Sequence, residues 1–267
     1  MHGSTEIAST GSMVLAAVLF IITYAVIMSE KINRAIVSLV AAGLMIMLGI
    51  LNQEAAIRGV DFNTIGLLIG MMVIVAITRQ SGIFQFLAIW SAKKVNANPW
   101  GILVMISLVT ATTSAFLDNV TTVLLVVPVT LLITEELKVK PYPYLFAMIF
   151  ASNIGGTATL IGDPPNIMIG SATGLTFNDF AYNLTPVILV IMAVTLIPIY
   201  FIWGSHLRAA PEDRQRVMQF NEYEAITDVR LLKQCLSVIG LVIGGFIFSR
   251  LLHLEAATVA MTGAALL

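Results

Sequence analysis

Two short polar segments bring carboxylates into otherwise apolar sequence. The first is Ser114-Ala-Phe-Leu-Asp118-Asn119-Val-Thr121-Thr122, and the second is Asn153-Ile-Gly155-Gly156-Thr157-Ala-Thr159-Leu-Ile-Gly162-Asp163-Pro164-Pro165-Asn166. A carboxylate at membrane depth is costly and marks an ion pathway or a coupling site. The hydroxyls of Ser114, Thr121, Thr122, Thr157 and Thr159, with the carbonyls of Gly155 and Gly156, are hard oxygen ligands suited to sodium. Asn119, Asn153 and Asn166 can both donate to a substrate oxygen and accept from it. Asp118 and Asp163, held out of water together, suit a site that takes up a proton or a cation. Simpler readings stand beside these. Asp118 precedes Val-Thr-Thr as a good helix N-cap, Asn166 can cap the helix that resumes after the prolines, and Gly155 and Gly156 can serve close packing alone.

The elements that carry these residues are membrane elements. The chain has 267 residues, 58% hydrophobic and 11% charged, with a net charge of −1 and a mean hydropathy of +0.94. Soluble domains carry about a quarter charged residues, so the composition predicts an all-α polytopic membrane protein in contact with lipid. Nothing in the charge points to nucleic acid. Cys235 is the single cysteine and opens an apolar segment, which reads as packing rather than a disulfide or redox role. No secretory leader is expected, because the first sixteen residues lack Lys and Arg and no small-residue cleavage site follows the first apolar run.

A spanning helix needs about 20 mostly apolar residues. Full spans are expected near 12–29, 35–51, 64–79, 184–203 and 235–251, with another beginning near 255. Residues 83–95 read as an amphipathic interfacial helix. Residues 101–134 would make about 51 Å of helix, too long for one crossing and too short for two with a turn. Split at Asp118-Asn119, they give arms of about 25 Å and 21 Å, a re-entrant hairpin. The alternative is one tilted helix ending near Pro128. Residues 142–152 read as a half-helix followed by about ten irregular residues, where Gly155, Gly156, Gly162, Pro164 and Pro165 oppose helix. Helix resumes at Ile167. Irregular backbone at this depth is tolerated where it lines a cavity or is buried in protein.

With the N-terminus outside and the hairpin counted as no crossing, only Arg58 and Arg250 fall outside. Twelve of the fourteen basic residues then lie on the cytoplasmic side, as the positive-inside rule requires. Trp90, Trp100, Trp203, Tyr142 and Tyr144 fall near that face as an aromatic belt. At an offset of 222, Ala35, Val37, Ala42 and Leu44 match Ala257, Val259, Ala264 and Leu266. Five crossings precede the second copy, so it starts from the opposite side and reads as an inverted repeat. The expected organisation is scaffold helices and an interfacial helix over 1–100, then a transport-domain hairpin and interrupted helix over 101–181. The last helix of the first repeat follows at 182–203, a cytoplasmic linker at 204–234, and the start of a second, incomplete repeat at 235–267. The chain reads as a fragment of a longer protein. The thirteen methionines, among them Met71, Met72, Met148 and Met168, read as core filler.

Ser114-Ala-Phe-Leu-Asp-Asn-Val-Thr-Thr-Val123 with Val127-Pro-Val-Thr130, and the run Asn153 to Asn166, resemble the ion transporter superfamily. That superfamily includes arsenite permeases, NhaD-type sodium/proton antiporters and citrate and dicarboxylate transporters. The closest resemblance is to the anion-permease branch of the melanosomal P protein. It implies an inverted-repeat transporter fold with re-entrant hairpin and broken helix, a scaffold and a mobile transport domain, a homodimer, and elevator-type alternating access. It also implies that the tip and the facing break bind substrate and coupling ion, with sodium near Ser114, Asp118, Asn119 and Gly156. In the dicarboxylate branch the tip reads Ser-Asn-Thr and the break Gly-Thr-Pro-Pro. Here Asn119 matches the Asn, Asp118 replaces the Ser and Asp163 replaces a neutral Thr, which argues against a dicarboxylate.

The reading is a secondary active transporter, not an enzyme, of a small inorganic or organic ion. It needs no cofactor beyond H+ or Na+ as coupling ion, and it belongs in a bacterial or archaeal inner membrane. A sodium/proton antiporter of the NhaD type is the alternative. A channel could share the fold-level features, but the coupling carboxylates and the inverted repeat favour alternating access. An intramembrane aspartyl protease needs Gly-x-Gly-Asp, and Leu160 occupies its first glycine position. No Gly-x4-Gly-Lys-[Ser/Thr] loop is present, so the chain shows no ATPase of its own.

Overall fold

The computed structural model describes residues 10–267. The expectations about a leader and the side of the N-terminus concern residues 1–9 and lie outside the described residues. The chain divides into two compact units at Asp61/Phe62. The first contains α1 (Thr10–Met28), α2 (Arg34–Met47) and α3 (Gln53–Arg58). Helix α1 is mostly apolar, carries no charge and has no buried residue, so its side chains suit lipid rather than a protein core. Helix α2 starts where the Asn33 side chain accepts from the Ala35 amide. It ends at Met47 rather than 51, because Leu48 closes it and Gly49 turns the chain at φ +71°. Fourteen residues make about 21 Å, short of a full crossing.

The second unit holds α4 (Phe62–Arg79), α5 (Ile83–Lys94), α6 (Pro99–Ser114), α7 (Asn119–Glu136), α8 (Tyr142–Gly156), α9 (Pro164–Thr173), α10 (Phe177–Ile202), α11 (Pro211–Met218), α12 (Val229–Ile247), α13 (Ser249–Leu252) and α14 (Ala256–Leu266). Among the described residues, α1, α4, α7, α10 and α12 are long and apolar enough to cross a membrane. The protein is an all-α polytopic membrane protein.

Residues 115–118 separate α6 from α7, which excludes one tilted helix over 101–134. Helix α7 continues past Pro128 to Glu136 and is itself long enough to span. Helices α5 and α8 each pack against both α6 and α7. The core there is built from Ile102, Ile106, Val126, Ile133, Tyr144 and Met148. Helix α5 turns Phe84, Ala88, Ser91 and Ala92 inward, one face of the helix. Tyr144 is fully buried and donates its hydroxyl to the Pro99 carbonyl at 2.9 Å, so it is a core residue and not part of a belt. Trp100, Tyr142 and Trp203 do meet in aromatic contacts with Tyr200 and Phe146.

A second core joins α4, α10, α12 and α14 through Leu67, Ile74, Phe177, Val242, Phe246 and Ala260. Helix α14 crosses α4 so closely that a Cβ on Gly70 would lie 2.6 Å from the Ala260 backbone. Small residues at such crossings let membrane helices approach without a hydrophobic driving force.

Helix boundaries differ from the sequence reading at three further places. Helix α10 begins at Phe177, not 184, because Thr176 and Asp179 form a reciprocal capping box. Helix α12 begins at Val229, not 235, where the Asp228 side chain accepts from the Leu231 amide. Helix α8 runs through Gly155 and Gly156, and α9 resumes at Pro164, so only residues 157–163 are irregular. The prolines open α9 because the first helical amides need no partner there.

Candidate functional site

Asp118 caps α7. Its Oδ2 accepts from the Thr121 amide at 2.8 Å and from the Thr121 hydroxyl at 2.7 Å. The simpler reading of Asp118 is therefore correct as far as it goes, and Oδ2 is committed to it. The tip is pinned to α8 from both sides. Ser114 donates its hydroxyl to the Ser152 carbonyl at 2.7 Å, and the Asn119 amide donates to Asn153 Oδ1 at 3.2 Å. Asn153 in turn donates to the Ile149 carbonyl at 2.8 Å.

Gly155 lies on α6. A Cβ there would sit 2.1 Å from the Ala111 carbonyl oxygen, so packing requires this glycine. Gly162 lies on the tip and on the end of α8 together. A Cβ there would sit 2.4 Å from the Gly156 carbonyl oxygen and 2.7 Å from that of Ser114. Three backbone strands thus meet at Ser114, Gly156 and Gly162 with no room for a side chain. Thr159 is buried and donates to the Ala115 carbonyl. The Thr157 hydroxyl folds back on the Asn153 carbonyl at 2.9 Å.

Asn166 does not cap its own helix. Its side-chain amide donates to the Thr159 carbonyl at 2.8 Å and lies 3.3 Å from those of Gly156 and Thr157. It closes the open end of α8 and holds the break in shape, so it acts on the preceding helix rather than on α9.

Two groups of the polar segments have side chains without a hydrogen bond. The Thr122 hydroxyl is fully buried and has no hydrogen-bond partner. Asp163 occupies the cap position of α9 but makes no capping bond with its side chain, and the next residue, Pro164, shares a cavity with Asp118. A buried hydroxyl without a partner is uncommon and calls for an explanation such as a bound ion or water. Pro165 is exposed, while Pro164 faces a cavity.

That cavity has a volume of about 450 Å³. The tip contributes Asp118 and Thr121, and the break contributes Ile161 and Pro164. Its remaining wall is α4, including Met71, Met72 and Val75 and ending in Arg79, with Gln80 just beyond it and Ile167 of α9. Reading the sequence placed none of α4 at the site. Arg79 was legible only as a charge closing an apolar span, and Met71 and Met72 read as core filler. Met72 is well exposed and lines the cavity, whereas Met148 is fully buried as expected of filler.

The sequence profile of the citrate transporter family matches residues 24–267. The chain belongs to the citrate transporter family. Its relatives include an uncharacterized transporter of Mycobacterium tuberculosis, 43% identical over 95% of this chain and 60% of that protein. The magnetosome protein MamN of Magnetospirillum gryphiswaldense is 34% identical over 85% of the chain and 54% of its own length. The human P protein is 35% identical over 69% of the chain and 23% of its own length. The chain therefore spans about three-fifths of the first of these relatives. The family match and the P protein relationship agree with the resemblance carried by the tip and break motifs. The family and its mycobacterial relative carry the names of transporters, not of enzymes.

Proposed function

We propose that this protein is a secondary active permease that moves a small anion or oxyanion across the membrane, coupled to H+ or Na+. One observation carries the reading. Asp118 on the tip lines one cavity with Pro164 of the break, and the side chain of the adjoining Asp163 makes no hydrogen bond. A carboxylate in that position is suited to a coupling cation. Ser114 and the carbonyls near Gly156 and Gly162 supply neutral oxygens at the adjoining junction, a donor set that fits sodium, and the unpartnered Thr122 hydroxyl on α7 is a further candidate. Asn119, Asn153, Thr157 and Thr159 complete the site through the tip, the end of α8 and the break.

In this reading α6 and α7 form a re-entrant hairpin and α8 with α9 an interrupted crossing. Residues 101–181 form the transport domain and 1–100 a scaffold, the chain works as a homodimer, and access alternates by an elevator movement in an inner membrane. The family takes its name from citrate. The two carboxylates in place of neutral residues favour an ion of lower charge here. They also support the second reading, a sodium/proton antiporter, which needs only the cation half of the site.

Reconstitution in proteoliposomes tests the coupling. Asp163→Asn is expected to abolish uptake driven by a proton or sodium gradient while leaving the protein folded. Full coupled transport by Asp163→Asn would remove Asp163 from the mechanism. Sodium/proton exchange without any anion flux would select the second reading.

A further inference from the structure

The α4 wall carries the one positive charge on the cavity. The exposed Arg79 guanidinium lies on the cavity and makes no ion pair or side-chain hydrogen bond with another described residue, and it is the one cation lining the cavity. Four cations of the same unit are engaged, whereas Lys94, Lys140, Arg208, Arg230 and Lys233 share the unpaired state of Arg79 but do not line the cavity. Lys93 pairs with Glu222, Lys138 with Asp213 at 3.2 Å, and Arg216 with Glu136 at 3.4 Å, and Arg214 donates to the Asn96 carbonyl at 2.7 Å. The end of α4 is also held in place. The Thr227 hydroxyl donates to the Gln80 carbonyl at 2.5 Å, and its amide donates to the Ser81 carbonyl at 3.1 Å.

The rest of the α4 wall is apolar. Leu68, eleven residues before Arg79, stands about 16 Å away along the helix axis. Met71, Met72, Val75 and Ala76 fill the interval, and Ile161, Pro164 and Ile167 face them. The volume falls within the range of organic-ligand sites, roughly 300–1,000 Å³.

Resting on the permease reading above, we propose that the substrate is an organic anion with a single anionic head group and an apolar body, anchored by the Arg79 guanidinium. A tricarboxylate would bring three charges to one guanidinium and face Asp118 with those left over. A bare oxyanion would leave the apolar walls unfilled. A planar guanidinium binds carboxylate or sulfonate oxygens bidentately, which an ammonium cannot do. Gln80 stands beside Arg79 on the same wall as a second polar group.

The test uses the full-length protein in detergent, with methane-, propane- and hexanesulfonate as probes. These stay charged at all working pH values and do not cross bilayers as neutral acids. Binding is read from the rise in thermal-unfolding midpoint with probe concentration. Hexanesulfonate should stabilise the protein where equal concentrations of citrate and arsenite do not. Affinity should rise by up to roughly fourfold per methylene, the ratio for a fully buried methylene group. Arg79→Gln should weaken hexanesulfonate binding at least tenfold, and Arg79→Lys should recover part of it. Should Arg79→Gln fail to fold, Met72→Gln keeps the anchor and should flatten the chain-length dependence. Binding of hexanesulfonate by Arg79→Gln as tight as wild type would overturn the proposal and mark a lipid-like site. Stabilisation by citrate or arsenite in preference to hexanesulfonate would overturn it too. The permease reading fails separately. If hexanesulfonate binds through Arg79 but proteoliposomes take up no ion under any gradient, the site stands and coupled transport falls.

Discussion

Single atoms decide what several residues of this site can tolerate. Gly155→Ala places a methyl group 2.1 Å from the Ala111 carbonyl oxygen, which is backbone and cannot rotate away. Separating α8 from α6 to make room is expected to cost about 1–3 kcal/mol or more. Gly240, on α12, has open space within 4 Å of the point where an added methyl group would lie, so Gly240→Ala should stabilise by about 0.4–1 kcal/mol through the unfolded state. Denaturant unfolding of the two variants checks the contrast, and equal effects would contradict the close crossing. Thr122 and Thr159 make a second pair. Thr159→Val removes the donor to the Ala115 carbonyl and should destabilise by about 1–3 kcal/mol. Thr122→Val removes a buried hydroxyl that has no protein partner, and unfolding should show no loss of stability. If Thr122 ligates the coupling ion, its variant will instead need more sodium for half-maximal uptake. The polar residues of the tip and the break were legible because nothing else in so apolar a chain explains them. The role of Asn166 was not, since its partners are carbonyls up to ten residues earlier that depend on how α8 ends.

At the scale of elements, the polar connection between α10 and α12 is a docked strap. Val217 is fully buried, Phe86 and Tyr223 make an aromatic contact, and Lys93 donates to the Phe220 carbonyl at 3.1 Å besides pairing with Glu222. Composition could show only that these residues are hydrophilic, because docking depends on partners more than a hundred residues away. The same limit hid the start of α10, where Thr176 and Asp179 cap a helix inside sequence that reads as loop. It hid the extent of α8 as well, since glycines weaken a helix by propensity but packing on α6 restores it. The strap has a pH signature. The hydrogen bond from Lys93, with a backbone bond, holds the Glu222 carboxyl below its ordinary value. A carboxyl held low favours the folded state above the ordinary glutamate value of about 4.3, and that contribution disappears as pH falls through the lowered value. Lys93→Met should therefore lower the unfolding midpoint at pH 6, and the difference from wild type should close as pH drops below 4. A difference that persists unchanged at pH 3 would show that Lys93 acts through packing of its stem rather than through the ion pair.

For the whole molecule, topology links the site to its two sides of the membrane. Only Arg58 and Arg250 fall outside when the N-terminus is outside and the tip does not emerge, which leaves twelve basic residues within. Cys235 is the single cysteine and is buried, so Cys235→Ala gives a background in which one introduced thiol reports its own surroundings. Lys138→Cys and Arg230→Cys should react with a membrane-impermeant maleimide only when the cytoplasmic face is open to it. Arg58→Cys and Arg250→Cys should react from the outer face. The decisive position is Val120, next to Asp118 and 61% exposed on the protein surface. A re-entrant tip keeps Val120→Cys from reagent added outside, and reaction from the cytoplasmic side then measures how deep the cavity admits water. Helices α6 and α7, at 16 and 18 residues, are about 24 and 27 Å long. A pair of that length that crossed fully would present Val120→Cys to the outer solution while leaving Lys138→Cys inside. Labelling from outside at Val120 would therefore turn the hairpin into two crossings, and Asp118 would lie at the membrane surface. A carboxylate in bulk water has little reason to exchange a proton for transport, so that single result would also remove the coupling role from the tip.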